Sequence, residues 1–218
     1  MILILLKKEI TLELRRKSVI SGLGLYLLSI VFIIYLTFSM GLNQITPLVW
    51  SALFWITVLF TSINTIAKSF IGEKKGKDIY LFSIVHPETV IVSKIIYNFL
   101  LSSLLALTGV LLFVLFIKNP LADFSLFIAT IPLTAFGFSA SLTMLSGIAA
   151  KANNSNILMA VLSFPIIISL LLLSIRITKN CIDGLERSAS FDELVTLIAI
   201  NALVSAVSFL LFPYIWRS

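Results

Sequence analysis

The side chains able to do chemistry in this chain collect in one stretch, Lys68 to Lys94, which reads KSFIGEKKGKDIYLFSIVHPETVIVSK. It holds Lys68, Lys74, Lys75, Lys77 and Lys94, the acids Glu73, Asp78 and Glu88, and the sole histidine, His86. Nucleotide binding fails on spacing. A phosphate loop needs four residues between its glycines, then Lys and Ser or Thr. In Gly72-Glu73-Lys74-Lys75-Gly76-Lys77-Asp78 three residues intervene and an acid follows the lysine, so any ATP use falls to a partner. Metal or haem ligation needs several donors, whereas His86 has no histidine companion and reads as a turn residue before Pro87. Cys181, the sole cysteine, lies in no CxxC or CxxCH motif, and Met1, Met40, Met144 and Met159 make no ligand spacing. There is no HExxH, no GxSxG and no pair of carboxylates inside an apolar run. No catalysis and no bound cofactor are expected of this chain.

What the stretch can do is touch another protein. From Lys77 to Val85, apolar Ile79, Tyr80, Phe82 and Ile84 stand beside Asp78, which predicts a short helix ended by Pro87. Tyr80 and Phe82 are the aromatic type that dominates interface energetics. Glu73 and Glu88 can pair with basic groups of a partner, a rim contact of small worth. Glu73, Tyr80, Phe82, His86, Pro87 and Glu88 are therefore the candidate partner-binding residues. The plainer alternative is a loop that only caps two membrane spans and packs on the membrane surface.

The elements that position this stretch are hydrophobic. The 218 residues are 59% hydrophobic and 12% charged, with mean hydropathy +1.11, against about 25% charged residues in soluble domains. No Asp, Glu, Lys or Arg occurs from Ser18 to Ala67 or from Ile95 to Ile117. The expected fold is all-α and integral to a membrane, a single domain over 1–218 with six spans at about 18–39, 45–67, 95–117, 124–148, 155–176 and 194–215. Each is near the roughly 20 residues that cross a hydrocarbon core of about 30 Å. Val19 to Phe38 is too long for a signal-peptide core, and no A-x-A-like site follows it.

Residues 1–17 read as an amphipathic helix lying on the membrane, with Leu3, Leu6, Ile10 and Leu14 on one face and Lys8, Arg15 and Arg16 away from it. A basic leader that only sets topology is the alternative. With the N-terminus inside, the 16 Lys and Arg divide into 12 internal (Lys7, Lys8, Arg15, Arg16, Lys17, Lys68, Lys74, Lys75, Lys77, Lys94, Lys151, Arg217) and 4 external (Lys118, Arg176, Lys179, Arg187). The positive-inside rule then puts both termini in the cytoplasm. The formal charge of +6 is accounted for by internal loops facing anionic lipid, not by nucleic acid. Thr178 to Glu193 becomes an external loop, either a short amphipathic stretch around Ile182 and Leu185 or a solvated linker.

Within the spans, Ser139, Thr143 and Gly147 recur at i, i+4 and i+8, with Gly137 and Ser141 on an adjacent row. Such small residues let helices approach closely. Pro132, Pro165 and Pro213 can kink or end helices. Asn64, Asn98 and Asn201 are expected to bond between helices rather than line a path. Ionisable groups inside a membrane mark ion or proton routes, and none is expected in these spans.

Taken together, the basic interfacial N-terminus, six spans with both ends inside, and the run Phe70, Glu73, Gly76, Pro87, Lys94 between spans two and three resemble CcmB, the permease subunit of the ABC transporter of cytochrome c maturation. Gly147-Ile148-Ala149-Ala150-Lys151 and Ser163-Phe164-Pro165 are similar to the family's later part. Lys74 and Lys75 depart from it, standing where members are often acidic. The resemblance covers nearly the whole chain and implies an ABC-2-like exporter permease fold in a bacterial inner membrane. It also implies work with a cytoplasmic ATPase (CcmA-like), with CcmC-like and CcmD-like membrane subunits that handle haem, and with a periplasmic haem chaperone (CcmE-like). ATP would sit on the partner and haem be handled by the complex. Rival readings are an ABC-2-type exporter permease for a lipid or drug, and a membrane scaffold without transport.

Overall fold

A computed structural model describes residues 1–15, 17–40, 45–66, 85–117, 120–151 and 155–217. Among them are seven α-helices, one short 3-10 turn and no strand: α1 (Ile2–Arg15), α2 (Lys17–Met40), α3 (Pro47–Ile66), α4 (Pro87–Ile117), α5 (Phe124–Lys151), α6 (Ser155–Asp183), the turn Arg187–Ser190, and α7 (Phe191–Arg217). Six of the seven, α2 to α7, are long and apolar enough to cross a membrane. The chain is a multi-pass α-helical membrane protein.

The helix starts follow from local chemistry. α3 and α4 each open on a proline, whose missing N–H is unpaired at a first helical position anyway and whose φ already suits the helix. The residue before each proline supplies the first acceptor. The Thr46 carbonyl takes the N–H of Trp50 at 2.9 Å, and the His86 carbonyl takes those of Thr89 at 3.0 Å and Val90 at 3.4 Å. Asp123 caps α5, its Oδ1 accepting from the Leu126 N–H at 3.0 Å. α6 is closed by Gly184 at φ 68°, a left-handed conformation that glycine adopts without Cβ strain. Pro132, Pro165 and Pro213 lie inside α5, α6 and α7, and none of them ends its helix.

α5 is the central helix, packed on α4, α6 and α7, and 67% of its apolar window is buried against 11% for α2 at the edge. α5 and α7 run parallel: Arg187 meets Asp123 where the two begin, and Asn201 reaches α5 further along. α1 packs mainly on α4 and only lightly on α2, which follows it in the chain. It lies at the end of the bundle where α4 begins, called here the terminal face; Asp123 and Arg187 mark the far face.

The structure corrects two sequence expectations. Pro87 begins α4, so residues 87–94 are helical and the helix is longer than the expected span 95–117, while most of the helix expected over 77–85 lies outside the described residues. Pro, Glu, Thr, Ser and Lys in this run weaken its hydropathy, but Val90 and Ile91 are buried with Leu5, Val204 and Phe212, and that packing carries the helix back to the proline. Similarly α6 continues past 176 to Asp183, so the first third of the expected loop at 178–193 is helix. Ile182 packs on the core there while Leu185 stays exposed.

Candidate functional site

Among the described residues charge is confined to the ends of this bundle, and one charged side chain there is enclosed. Lys94 is the only charged side chain among the described residues that is fully buried, at 1% exposure. It stands two turns into α4. Counting about 20 residues of hydrocarbon back from Ile117 reaches residue 98, so Lys94 lies at the headgroup level of the terminal face, enclosed by protein. Its Nζ is 3.5 Å from Glu9 Oε1 of α1. Glu9 also has its neighbour Lys8 at 3.6 Å.

Lys94 begins a column. Asn98 and Ser102 follow at i+4 and i+8, on the same face of α4, and both are buried. The Asn98 Nδ2 donates to Thr143 Oγ1 of α5 at 2.8 Å. Ser102 and Ser62 of α3 share a hydroxyl hydrogen bond of 2.8 Å. One face of one helix thus holds three others: α1 through charge, α5 through an amide, α3 through a hydroxyl. In lipid such groups must be satisfied within the protein, so the column fixes which helices meet α4 and at what height.

The rest of the interior uses the same device without charge. Thr134 of α5 meets Ser174 of α6 at 2.7 Å, and the Trp55 indole of α3 donates to Thr178 of α6 at 2.7 Å. Asn201 of α7 donates to the Leu133 carbonyl at 2.8 Å. Beside it, a Cβ built on Gly137 would overlap the ends of the Asn201 and Leu170 side chains, so a larger residue between α6 and α7 there requires both to shift. The stripe Ser139, Thr143, Gly147 is buried helix-packing surface. Of the three asparagines, Asn98 and Asn201 bond between helices and Asn64 is exposed.

The partner-binding candidates divide. Glu73, Tyr80 and Phe82 lie outside the described residues, as do the phosphate-loop-like run 72–78 and most of the helix expected over 77–85. His86 is exposed, with its carbonyl committed to the start of α4. Pro87 and Glu88 are half-buried in the first turn of α4, where a carboxylate is favoured by the helix dipole. His86, Pro87 and Glu88 therefore form the mouth of α4, two turns from Lys94. Lys94 itself, expected in the loop, is helical and inside the protein. Sequence reading passed over Glu9, Ser62 and Ser102. Glu9 carries the one readable signal, an acid beside two lysines on an amphipathic helix. The serines have none, because isolated hydroxyls in apolar runs commonly bond their own helix.

On the far face, Arg187 grips Asp123 with two bonds, Nε to Oδ2 at 2.7 Å and Nη2 to Oδ1 at 3.2 Å. That guanidinium, with the Leu126 N–H, holds the Asp123 carboxyl below its ordinary value. The Ala122 and Asp123 N–H groups both donate to the Cys181 carbonyl at 3.0 Å, which ties the α4–α5 connection to the end of α6. Among the described residues no group of three or more His, Cys, Asp or Glu is placed to hold a metal ion.

Six long apolar helices, bound internally by polar pairs and with an enclosed lysine paired to α1 at the terminal face, define a multi-pass membrane subunit of the permease class. The chain belongs to the CcmB family: the family model described as CcmB protein matches residues 1–212. That family makes it the membrane permease subunit of a haem-export ABC transporter, with a role in cytochrome c biogenesis. No curated protein and no solved structure matches the chain.

Proposed function

We propose that this subunit converts ATP-driven closure of a separate CcmA-like ATPase into helix movement, and so serves haem delivery to, or release of, a haem-loaded CcmE-like periplasmic chaperone. CcmC-like and CcmD-like subunits would complete the complex, and the chain would bind neither ATP nor haem iron through residues of its own. The family match over residues 1–212 carries this reading. In support, the segment from Ser69 to Ser93 joins two spans at the terminal face and holds Tyr80 and Phe82 as aromatic anchors. It is the docking surface for the ATPase, with Glu73, His86, Pro87 and Glu88 around the anchors. Two states biased by nucleotide are required, since a ligand shifts an equilibrium only by its differential affinity for the states.

The orientation proposed is an inner-membrane one with both termini cytoplasmic, supported by the division of basic residues, 12 against 4. Reporter fusions at Lys75 and Asn154 will read internal, and those at Asn43, Asn119 and Arg187 external; an external Lys75 overturns it. Docking is tested by Tyr80→Ala with Phe82→Ala. Losing anchored aromatics removes about 2 kcal/mol or more of binding, roughly a 30-fold weaker complex. The ATPase will then fail to co-purify from mild detergent while membrane insertion is normal. A double variant that inserts, retains the ATPase and matures cytochrome c in full defeats the assignment.

A further inference from the structure

We propose that Glu9 and Lys94 are positioning residues that fasten the N-terminal helix α1 to α4, so that the two move as one unit and α1 takes part in coupling. Three observations lead there. α1 packs on α4, a partner about 80 residues away in sequence, in preference to α2. The join is made by Leu5, at 9% exposure and clustered with Val90, Ile91 and Ile95, and by the Glu9–Lys94 pair at 3.5 Å. Lys94 heads the column that also grips α5 and α3 through Asn98 and Ser102.

An anchor that only held the N-terminus on the membrane would need no such pair. Leu3 at 77% exposure and Ile10 at 37% face outward, and such residues suffice to hold an amphipathic helix at a lipid surface. Leu5 alone would serve for contact with α4. Enclosing a lysine is unfavourable unless its charge is compensated, and what a compensated pair adds to apolar contact is a fixed register between the two helices. The first two turns of α4 belong to the segment 69–93, so whatever displaces them reaches α1 through Lys94. Displacing α4 then drags an amphipathic helix along the membrane surface, and the lipid resists that motion.

The mechanical half of this inference rests on the proposed ATPase coupling; the fastening half does not. The test uses the whole complex in native membranes, in a Cys181→Ala background with Leu5→Cys as reporter. The rate of maleimide labelling at position 5 reads whether α1 is seated. It will be slow in that background, at least fivefold faster with Glu9→Ala or with Lys94→Met, and unchanged with Lys8→Gln, which leaves the cross-helix pair intact. Equal labelling in all four overturns the proposal, and so does release by Lys8→Gln. The second readout is nucleotide hydrolysed per cytochrome matured, which a merely structural loss of complex leaves constant. It will rise at least threefold with Glu9→Ala; if α1 is released and the ratio does not change, α1 is an anchor and the proposal fails. Should Glu9→Ala not insert, Lys94→Met takes its place in both readouts. A parent complex whose maturation does not depend on nucleotide would overturn the proposed function, and labelling would still decide the fastening.

Discussion

Among the described residues, each end of this bundle carries an ion pair between helices or their caps, and the two pairs differ in distance and in exposure. At the far face, Arg187 and Asp123 meet with two bonds, the shorter 2.7 Å, on a guanidinium whose side chain is 66% exposed. At the terminal face, Lys94 and Glu9 stand 3.5 Å apart with Lys94 almost wholly enclosed. Distance alone would rank the far pair as the stronger. Solvent reverses that ranking, because an exposed pair gains little over its two hydrated partners, whereas an enclosed charge depends on the protein groups around it for compensation. The far end relies on aromatic packing: Trp50, Phe54, Phe113 and Phe127 stack or meet edge to face with centroids 5.3 to 6.0 Å apart. The terminal end has a mainly aliphatic cluster instead, with Phe212 as its one fully buried ring and the enclosed lysine on the same helix as Val90 and Ile91. One end is held by shape, the other by a contact that specifies a partner.

The largest effect expected from this contrast is that of Lys94→Ala. Leaving the space of an enclosed lysine stem, and taking one cation from Glu9, will cost about 2 kcal/mol or more, read as a lower thermal midpoint of the purified protein in detergent. A loss within the noise of surface substitutions would show that the two pairs are equivalent. An intermediate effect is expected from Asn98→Ala, one turn deeper. Hydrogen bonds between membrane helices average about 0.6 kcal/mol and reach about 1.7, so its midpoint will fall between those of Lys94→Ala and the parent. A loss as large as that of Lys94→Ala would mean the column acts through its amide rather than its charge.

The smallest effect is expected from Arg187→Ala, whose midpoint at neutral pH will lie close to the parent's. Its signature is in acid. The Asp123 carboxyl is held below its ordinary value, so the pair's contribution is present above the unfolded carboxylate pKa of about 3.9 and is lost as pH falls through the lower folded value. Parent and Arg187→Ala will therefore have a constant offset from pH 5 to 9 and converge only in strong acid. An offset that disappears near pH 6 would assign it to another group.

Much of this molecule was legible in its residues, for identifiable reasons. Uncharged runs such as Ser18 to Ala67 leave the chain no soluble alternative, and in lipid a lone segment can satisfy its backbone only as a helix. Span number and the helical class follow from that alone, and the soft run Glu73, Gly76, Pro87, Lys94 was enough to suggest the family that the match over residues 1–212 shows. The limits of α4 were not legible, because Pro87 is equally able to stop one helix and to start another. Whether it does so is decided by Val90 and Ile91 packing on residues of α1 and α7. The same holds for Lys94. As a residue type beside an apolar run it reads as a flanking charge that snorkels to water. It becomes the enclosed head of a polar column only because α1 folds back over it and brings Glu9 within 3.5 Å. Hydropathy and spacing are properties of one segment against its solvent, and they determined what spans the membrane. Which side chains meet inside depends on contacts such as Asn98 with Thr143 and Ser62 with Ser102, 45 and 40 residues apart, and no local pattern encodes such pairs.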